Sequence, residues 1–209
     1  MKETKEYHQI YEKRKQGKVR PKKIYWPIEP LKFLDEKLEF KGKVLDFGCL
    51  KESFFYKKTL KDKGQYKGFD IDKNTVEWLE KNSFFEDFWN TKEKFDLIIA
   101  NHVYEHLEPK EREKFIEKSF EVLNKNGKLV FAFPNVMNLS GIEYWKDRTH
   151  KTPPSPLDEA SFSELFGFKT ELYLVGLSFF PPKYFFRIIA NFFFGFSSLH
   201  SCVLICSKN

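Results

Sequence analysis

Three of the chain's five histidines, His102, His106 and His150, carry side chains suited to exchanging a proton near neutral pH. His150 lies three residues after Asp147, a spacing that lets the carboxylate orient the ring. Two further carboxylates, Asp46 and Asp70, lie in or at the end of apolar runs and stand 24 positions apart. A ribose presents two hydroxyls that need an acceptor, and an acidic residue about 20 residues beyond the first strand supplies it in nucleotide-binding units. Asp70 is therefore the principal ribose candidate, with Ile71 beside it as an apolar surface. No spacing of Cys, His, Asp or Glu reads as a metal-ligand set.

Such side chains act only if a scaffold brings them together. From Pro30, the residues Leu31, Phe33, Leu34 and Leu38 follow a helical spacing that ends at Lys41-Gly42. Lys43 to Phe47 reads as a buried strand that turns at Gly48, residues 53–62 as a helix, and Tyr66 to Ile71 as a second strand. Asp72 is placed to cap a helix carrying Val76, Trp78 and Leu79. Phe84-Phe85 reads as a short third strand and Phe95 to Ala100 as a fourth, apolar on both faces. Phe115, Ile116, Ser119, Phe120 and Leu123 line a helix expected to stop at Asn126-Gly127, before a fifth strand over Lys128 to Phe133. A strand near Thr170 to Val175 and a closing strand Ser201 to Cys206 are expected to pair antiparallel at the sheet edge. Strand and helix alternating about every 25 residues imply an α/β fold with a doubly wound, mostly parallel sheet, because parallel neighbours need crossover connections. Ligands of such sheets bind beyond the carboxyl ends of the strands.

Composition narrows the class. The 209 residues are 41% hydrophobic and 32% charged, with ten Gly and ten Pro, a globular balance that excludes fibrous and low-complexity chains. The net charge of +6 is localised: residues 1–24 hold nine Lys/Arg against three Glu, and the rest of the chain is neutral. The chain therefore divides into a basic N-terminal arm, 1–24, and a single domain, 25–209. Cys49, Cys202 and Cys206 are odd in number and follow no secretory pattern, so they are expected to be packing residues in a reducing, cytoplasmic setting. Phe is abundant, at 25, and eight of these crowd residues 179–196 around Pro181-Pro182, Lys183 and Arg187. This Phe-rich insertion reads either as a cap on the sheet or as a surface that lies on a membrane.

In order and spacing, residues 30–209 resemble the class I S-adenosylmethionine-dependent methyltransferases, specifically members acting on small molecules and glycans. Val44-Leu45-Asp46-Phe47-Gly48-Cys49 resembles the first part of the family's cofactor loop, and Gly68-Phe69-Asp70-Ile71-Asp72 its second strand end. Phe95 to Asn101, continuing to Glu105-His106, resembles its fourth strand and loop. Asn126-Gly127-Lys128-Leu129 through Pro134-Asn135 resembles its fifth, and Asp147-Arg148-Thr149-His150 before Ser161 to Phe168 its acceptor-side stretch. The resemblance implies a Rossmann-like sheet with an antiparallel C-terminal strand and S-adenosylmethionine as cofactor. It implies cofactor contacts from Asp46, Phe47, Gly48, Asp70, Ile71 and Asn101, with an Asp87 carboxylate and a Phe88 backbone N–H at the adenine. His150 and His106 are its catalytic candidates.

The chain departs from the family where further glycines are usual, because Leu50 and Glu52 stand there. A non-glycine residue in the left-handed region costs about 1–2 kcal/mol. The loop is thus expected to be remodelled around the cofactor, the alternative being an inactive, methyltransferase-like binding protein. Asn101-His102-Val103-Tyr104 lacks the paired prolines of base N-methylases, which argues against N-methylation of a nucleic-acid base, and the neutral body makes a nucleic-acid partner the less expected one. The basic arm keeps an RNA methyltransferase as a further alternative. The leading expectation is O-methylation of a small molecule, a sugar or a lipid-linked glycan, with peripheral membrane contact through 179–196 and 1–24.

Overall fold

The computed structural model describes residues 25–26, 29–136, 141–177 and 199–209, together with positions 8, 12, 15 and 16. Apart from those four positions, the basic arm lies outside the described residues, as does the Phe-rich segment 179–196. Among the described residues, no helix is long and apolar enough to cross a membrane.

The strands are β1 Tyr25–Trp26, β2 Lys43–Phe47, β3 Gln65–Phe69, β4 Phe95–Asn101, β5 Leu123–Pro134, β6 Phe168–Leu177 and β7 Leu199–Lys208. The helices are α1 Pro30–Lys37, α2 Phe54–Lys61, α3 Lys73–Lys81, α4 Pro109–Val122 and α5 Pro156–Leu165. The strands form one sheet in the order β1-β6-β7-β5-β4-β2-β3. Strands β3, β2, β4 and β5 pair in parallel, while β7 runs antiparallel between β5 and β6. The doubly wound, mostly parallel α/β sheet with an antiparallel C-terminal strand is therefore observed. The β6–β7 pair does not form the sheet edge, because β1 adds in parallel outside β6.

Alternation along each strand builds the two faces. Leu45, Phe47, Ile98, Leu129 and Phe131 point to one side, where they pack with Phe115 and Ile116 of α4 and Ala160 of α5. Val44, Leu97, Ile99, Val130 and Ala132 point to the other, against Phe33 and Leu34 of α1 and Phe55 of α2. Cys202 and Cys206 belong to the first core and Cys49 to a third cluster with Tyr66 and Leu79, so all three cysteines are buried and none is in a disulfide among the described residues.

Local chemistry sets the helix starts. The Ser53 hydroxyl accepts from the Tyr56 N–H at 3.1 Å to cap α2, and the Asp72 carboxylate accepts from the Thr75 N–H and hydroxyl, both at 2.9 Å, to cap α3. A reciprocal Glu108/Glu111 capping box opens α4.

Two expected elements differ. Phe84-Phe85 forms only an isolated bridge, Phe85 to Gly68, in place of a third strand. Helix α4 ends at Val122 and not at Asn126-Gly127, because Leu123 already pairs with Phe95. The next pairing is Lys128 with Leu97, so Asn124 to Gly127 loop out between the two. Asn126 takes a positive φ of 64° in that loop, and a Cβ on Gly127 would lie 2.9 Å from the Asn124 carbonyl oxygen.

Candidate active site

At the carboxyl end of β2 the chain turns at Gly48, whose φ is +70°. A Cβ there would also lie 2.3 Å from Cγ2 of Val103, so glycine is required both by conformation and by the approach of the β4 loop. Asp46 and Phe47, expected to touch a ligand, turn their side chains inward. The Asp46 carboxylate is 2% exposed and accepts from the Ser53 hydroxyl at 2.8 Å and the Tyr66 hydroxyl at 3.1 Å. Burial pushes its pKa up to about 6, although both hydrogen bonds pull the other way. Phe47 packs among Phe69, Phe88, Trp89 and Phe115. Of the two residues replacing glycines, Glu52 does adopt the left-handed region, at φ 47°, whereas Leu50 does not and is 73% exposed.

Beyond β3, one oxygen of Asp70 accepts from the N–H groups of Ile71 at 2.7 Å and Asp72 at 2.8 Å. Its second oxygen takes no hydrogen bond among the described residues. Partial burial raises the Asp70 pKa. Ile71 is 92% exposed, an unusual position for an isoleucine beside a half-buried carboxylate. Further along, the two Asp87 oxygens accept from the Trp89 N–H at 3.2 Å and the Asn90 side-chain amide at 2.7 Å, holding a turn. Phe88, expected to offer its N–H, is fully buried, ring and backbone alike.

The end of β4 differs in character. Asn101 Oδ1 is buried and has no hydrogen-bond partner among the described residues, and the same is true of Glu105 Oε2. His102, at φ 54°, sets its Nδ1 3.2 Å from Glu105 Oε1. The short 3-10 helix Tyr104–His106 is then tied to residues 144–152 through the Glu105 carbonyl. That oxygen accepts from the Lys151 N–H at 3.0 Å, the Tyr144 hydroxyl at 3.4 Å and Arg112 of α4 at 3.4 Å. Buried Arg112 also donates to the carbonyls of Tyr104 at 3.1 Å and Thr152 at 2.6 Å, and pairs with Glu159 at 3.8 Å. Burial pushes the Glu159 pKa up to about 7, against the Tyr104 hydroxyl that donates to it and the Arg112 charge.

These ties bring His106 and His150 together, with ring centroids 4.8 Å apart. His150 donates from Nδ1 to the Tyr144 carbonyl at 2.7 Å. Asp147, expected to orient that ring, stands 3.7 Å from Nε2 and instead takes the Thr149 hydroxyl proton at 2.6 Å. The Thr149 oxygen must then accept from Nδ1–H of His106 at 2.8 Å. In the neutral form of each ring, Nε2 is then the nitrogen that carries the lone pair. The Thr149 hydroxyl and N–H hold the Asp147 pKa below the usual carboxylate value.

Sequence reasoning brought forward Asp70, Ile71, Asn101, His106 and His150 but missed Glu105, Arg112, Tyr144 and Thr149 as parts of one cluster. A buried glutamate next to His106 carries no sequence signal of its burial. Arg112 lies on an amphipathic helix where a solvated basic residue is the ordinary expectation.

The family model described as a methyltransferase domain matches residues 19–170. The chain belongs to the methyltransferase-domain family. Among curated proteins, none matches it by sequence. Solved methyltransferase structures share the fold. A SAM-dependent methyltransferase from Archaeoglobus fulgidus superposes with a TM-score of 0.71 at 18% identity, covering 85% of this chain and 91% of that one. Magnesium protoporphyrin IX methyltransferase from Synechocystis, solved with bound SAM, gives 0.55 at 15% identity over 86% of this chain and 76% of that one. A cyclopropane synthase from Mycobacterium tuberculosis gives 0.60 at 13% identity, with coverage of 85% and 82%.

Proposed function

We propose that this methyltransferase uses S-adenosylmethionine to methylate an oxygen of a small hydroxylated acceptor, a sugar or lipid-linked glycan being the class intended. The observation that carries the cofactor reading is the end of β3, where a half-buried carboxylate with one uncommitted oxygen precedes an isoleucine that is 92% exposed. A ribose diol and the face of an adenine are complementary to that pair. The fit extends to β4, where the buried, unpartnered Asn101 Oδ1 suits the ammonium of the cofactor's amino-acid end. When bound, the cofactor supplies an electrophilic methyl group on a sulfonium.

The chain's own residues divide the remaining work. Asp70 holds the ribose, and Ile71 covers the base. Asp87, ahead of the buried Phe88, offers the adenine its carboxylate edge. Gly48 gives the close approach of main chain to ligand, on a loop that Asp46 and Phe47 anchor from below. His106 and His150 form the acceptor end, where their Nε2 lone pairs face a hydroxyl that is to lose its proton. The Phe-rich segment 179–196 and the basic arm are the parts of the sequence suited to presenting a lipid-linked acceptor at an anionic surface.

Calorimetry tests the cofactor reading. S-adenosylmethionine and S-adenosylhomocysteine are each expected to bind, with Asp70→Asn, which keeps the local turn, weakening both by about 10–100-fold through a lost charged hydrogen bond. Absence of binding to the wild type at millimolar ligand, or an unchanged affinity in Asp70→Asn, would overturn it.

A further inference from the structure

We propose that Glu105, His106 and His150 form a binding site for a divalent transition-metal ion of the zinc class, at which an acceptor oxygen takes the open position. Ligand atoms from the three residues all lie within 4.8 Å of one another. In a tetrahedral zinc site two ligand atoms stand about 3.3 Å apart, so the widest pair in the cluster closes by up to about 1.5 Å on binding, a movement that rotation of the three side chains has to supply. Two imidazoles and one carboxylate with a position left over is the donor set of zinc and related ions in catalytic sites.

Three independent features support the assignment. The first is tautomer: each histidine has its Nδ1–H committed to an oxygen, the Tyr144 carbonyl for His150 and the Thr149 hydroxyl for His106. Metal-bound histidines are held in this way, and the arrangement leaves Nε2 as the ligating atom. The second is the unsatisfied acceptor. Glu105 is 1% exposed, and its Oε2 is buried with no partner among the described residues. A buried carboxylate oxygen without a donor is costly, and a cation removes that cost. The third is rigidity: the Glu105 carbonyl is tied by Lys151, Tyr144 and Arg112, which fixes the segment bearing two ligands to the segment bearing the third. Asp147, 3.7 Å from His150 Nε2, adds negative charge on the same rim.

The proposal rests on the reading of the acceptor end and replaces the base role of the two Nε2 lone pairs there: an ion held by them would itself select acceptors that bind through hydroxyl oxygen and make that hydroxyl more acidic. Its metal-binding content stands apart from the cofactor reading.

The test uses the full chain stripped with a chelator. Co2+ is expected to bind at one equivalent with visible ligand-field absorption that Zn2+ abolishes by displacement. Glu105→Gln and His150→Ala are expected to weaken Co2+ by at least about tenfold while retaining the wild-type melting transition. In the wild type, which needs no variant to fold, Zn2+ should shift the Nε2 nitrogen resonances of both His106 and His150. Absence of Co2+ absorption, affinity unchanged in the variants, or unmoved His106 and His150 resonances at saturating Zn2+ would each overturn the site. S-adenosylhomocysteine calorimetry on the same stripped protein separates the two readings. Cofactor binding without metal binding removes only the metal site, and metal binding without cofactor binding removes only the cofactor assignment.

Discussion

The ends of β2 and β4 lie side by side in the sheet and differ in how their polar groups are satisfied. Beneath the β2 turn, the buried Asp46 carboxylate is satisfied internally by the Ser53 and Tyr66 hydroxyls. Beyond β4, the buried Asn101 Oδ1 and Glu105 Oε2 are left without donors among the described residues. A satisfied buried network fixes a shape, whereas orphaned buried acceptors mark where something from outside must complete the chemistry. The first region is thus a preformed cradle, and the second is a half-built coordination sphere. The β4 side is tied by hydrogen bonds across about 40 positions, through Tyr144 and Arg112, whereas the hydrogen bonds to Asp46 on the β2 side come from within 20 positions in sequence.

The most severe way to break this contrast is Arg112→Ala. Removing a buried cation that pairs with Glu159 and holds three carbonyls is expected to cost about 3–5 kcal/mol in chemical denaturation. Hydrogen exchange should accelerate at the amides of His106 and Lys151, which bond within that cluster, and not at Gly48, whose N–H donates to the Phe69 carbonyl. Equal acceleration at Gly48 would show that the two regions are one cooperative unit.

A smaller effect sharpens the β2 side. Asp46 has its folded pKa raised to about 6 from an ordinary 3.8, so the folded state binds this proton more tightly than the unfolded chain. The stability it contributes is full below the unfolded value and is lost as pH rises through about 6. Relative to Asp46→Asn, which has no such proton, wild-type stability should fall by about 2 kcal/mol between pH 4 and pH 7. A pH-independent difference would mean that the carboxylate is not held in a dry site.

The smallest expected change concerns Glu52. Its φ of 47° carries about 1–2 kcal/mol of strain, and a glycine returns part of that through its own chain entropy. Glu52→Gly is therefore expected to raise stability by up to about 1 kcal/mol in urea denaturation. A destabilised variant would show that the Glu52 side chain, exposed and 4.0 Å from Lys57, anchors the loop through contacts stronger than a surface ion pair.

Much of the scaffold was legible in the sequence because the signals are local. Lys43 to Phe47 reads as a buried strand and is one, Asp72 reads as a cap and accepts from Thr75, and Gly48 reads as a turn and has a positive φ. Asp70 and Ile71 were singled out for the same reason, since the end of a strand is visible in a stretch of a few residues. The reading faltered where neighbours in space overrule neighbours in sequence. Leu123 looked helical until Phe95 claimed it as a strand partner, and Phe84-Phe85 found only a single bridge.

The sequence by itself determined the order of strands and helices, the placement of acidic residues at strand ends, and the departure at Leu50 and Glu52 from a glycine-rich loop. Each of these depends on side-chain type and spacing within a turn or a strand. Only the tertiary structure decided that His150 meets His106 across 44 positions, that the Thr149 and Tyr144 oxygens fix both rings, and that Glu105 is buried beside them with an oxygen unsatisfied. Proximity, protonation state and desolvation are properties of packed chains. They arise once Arg112 and Tyr144 have drawn two distant segments onto one carbonyl.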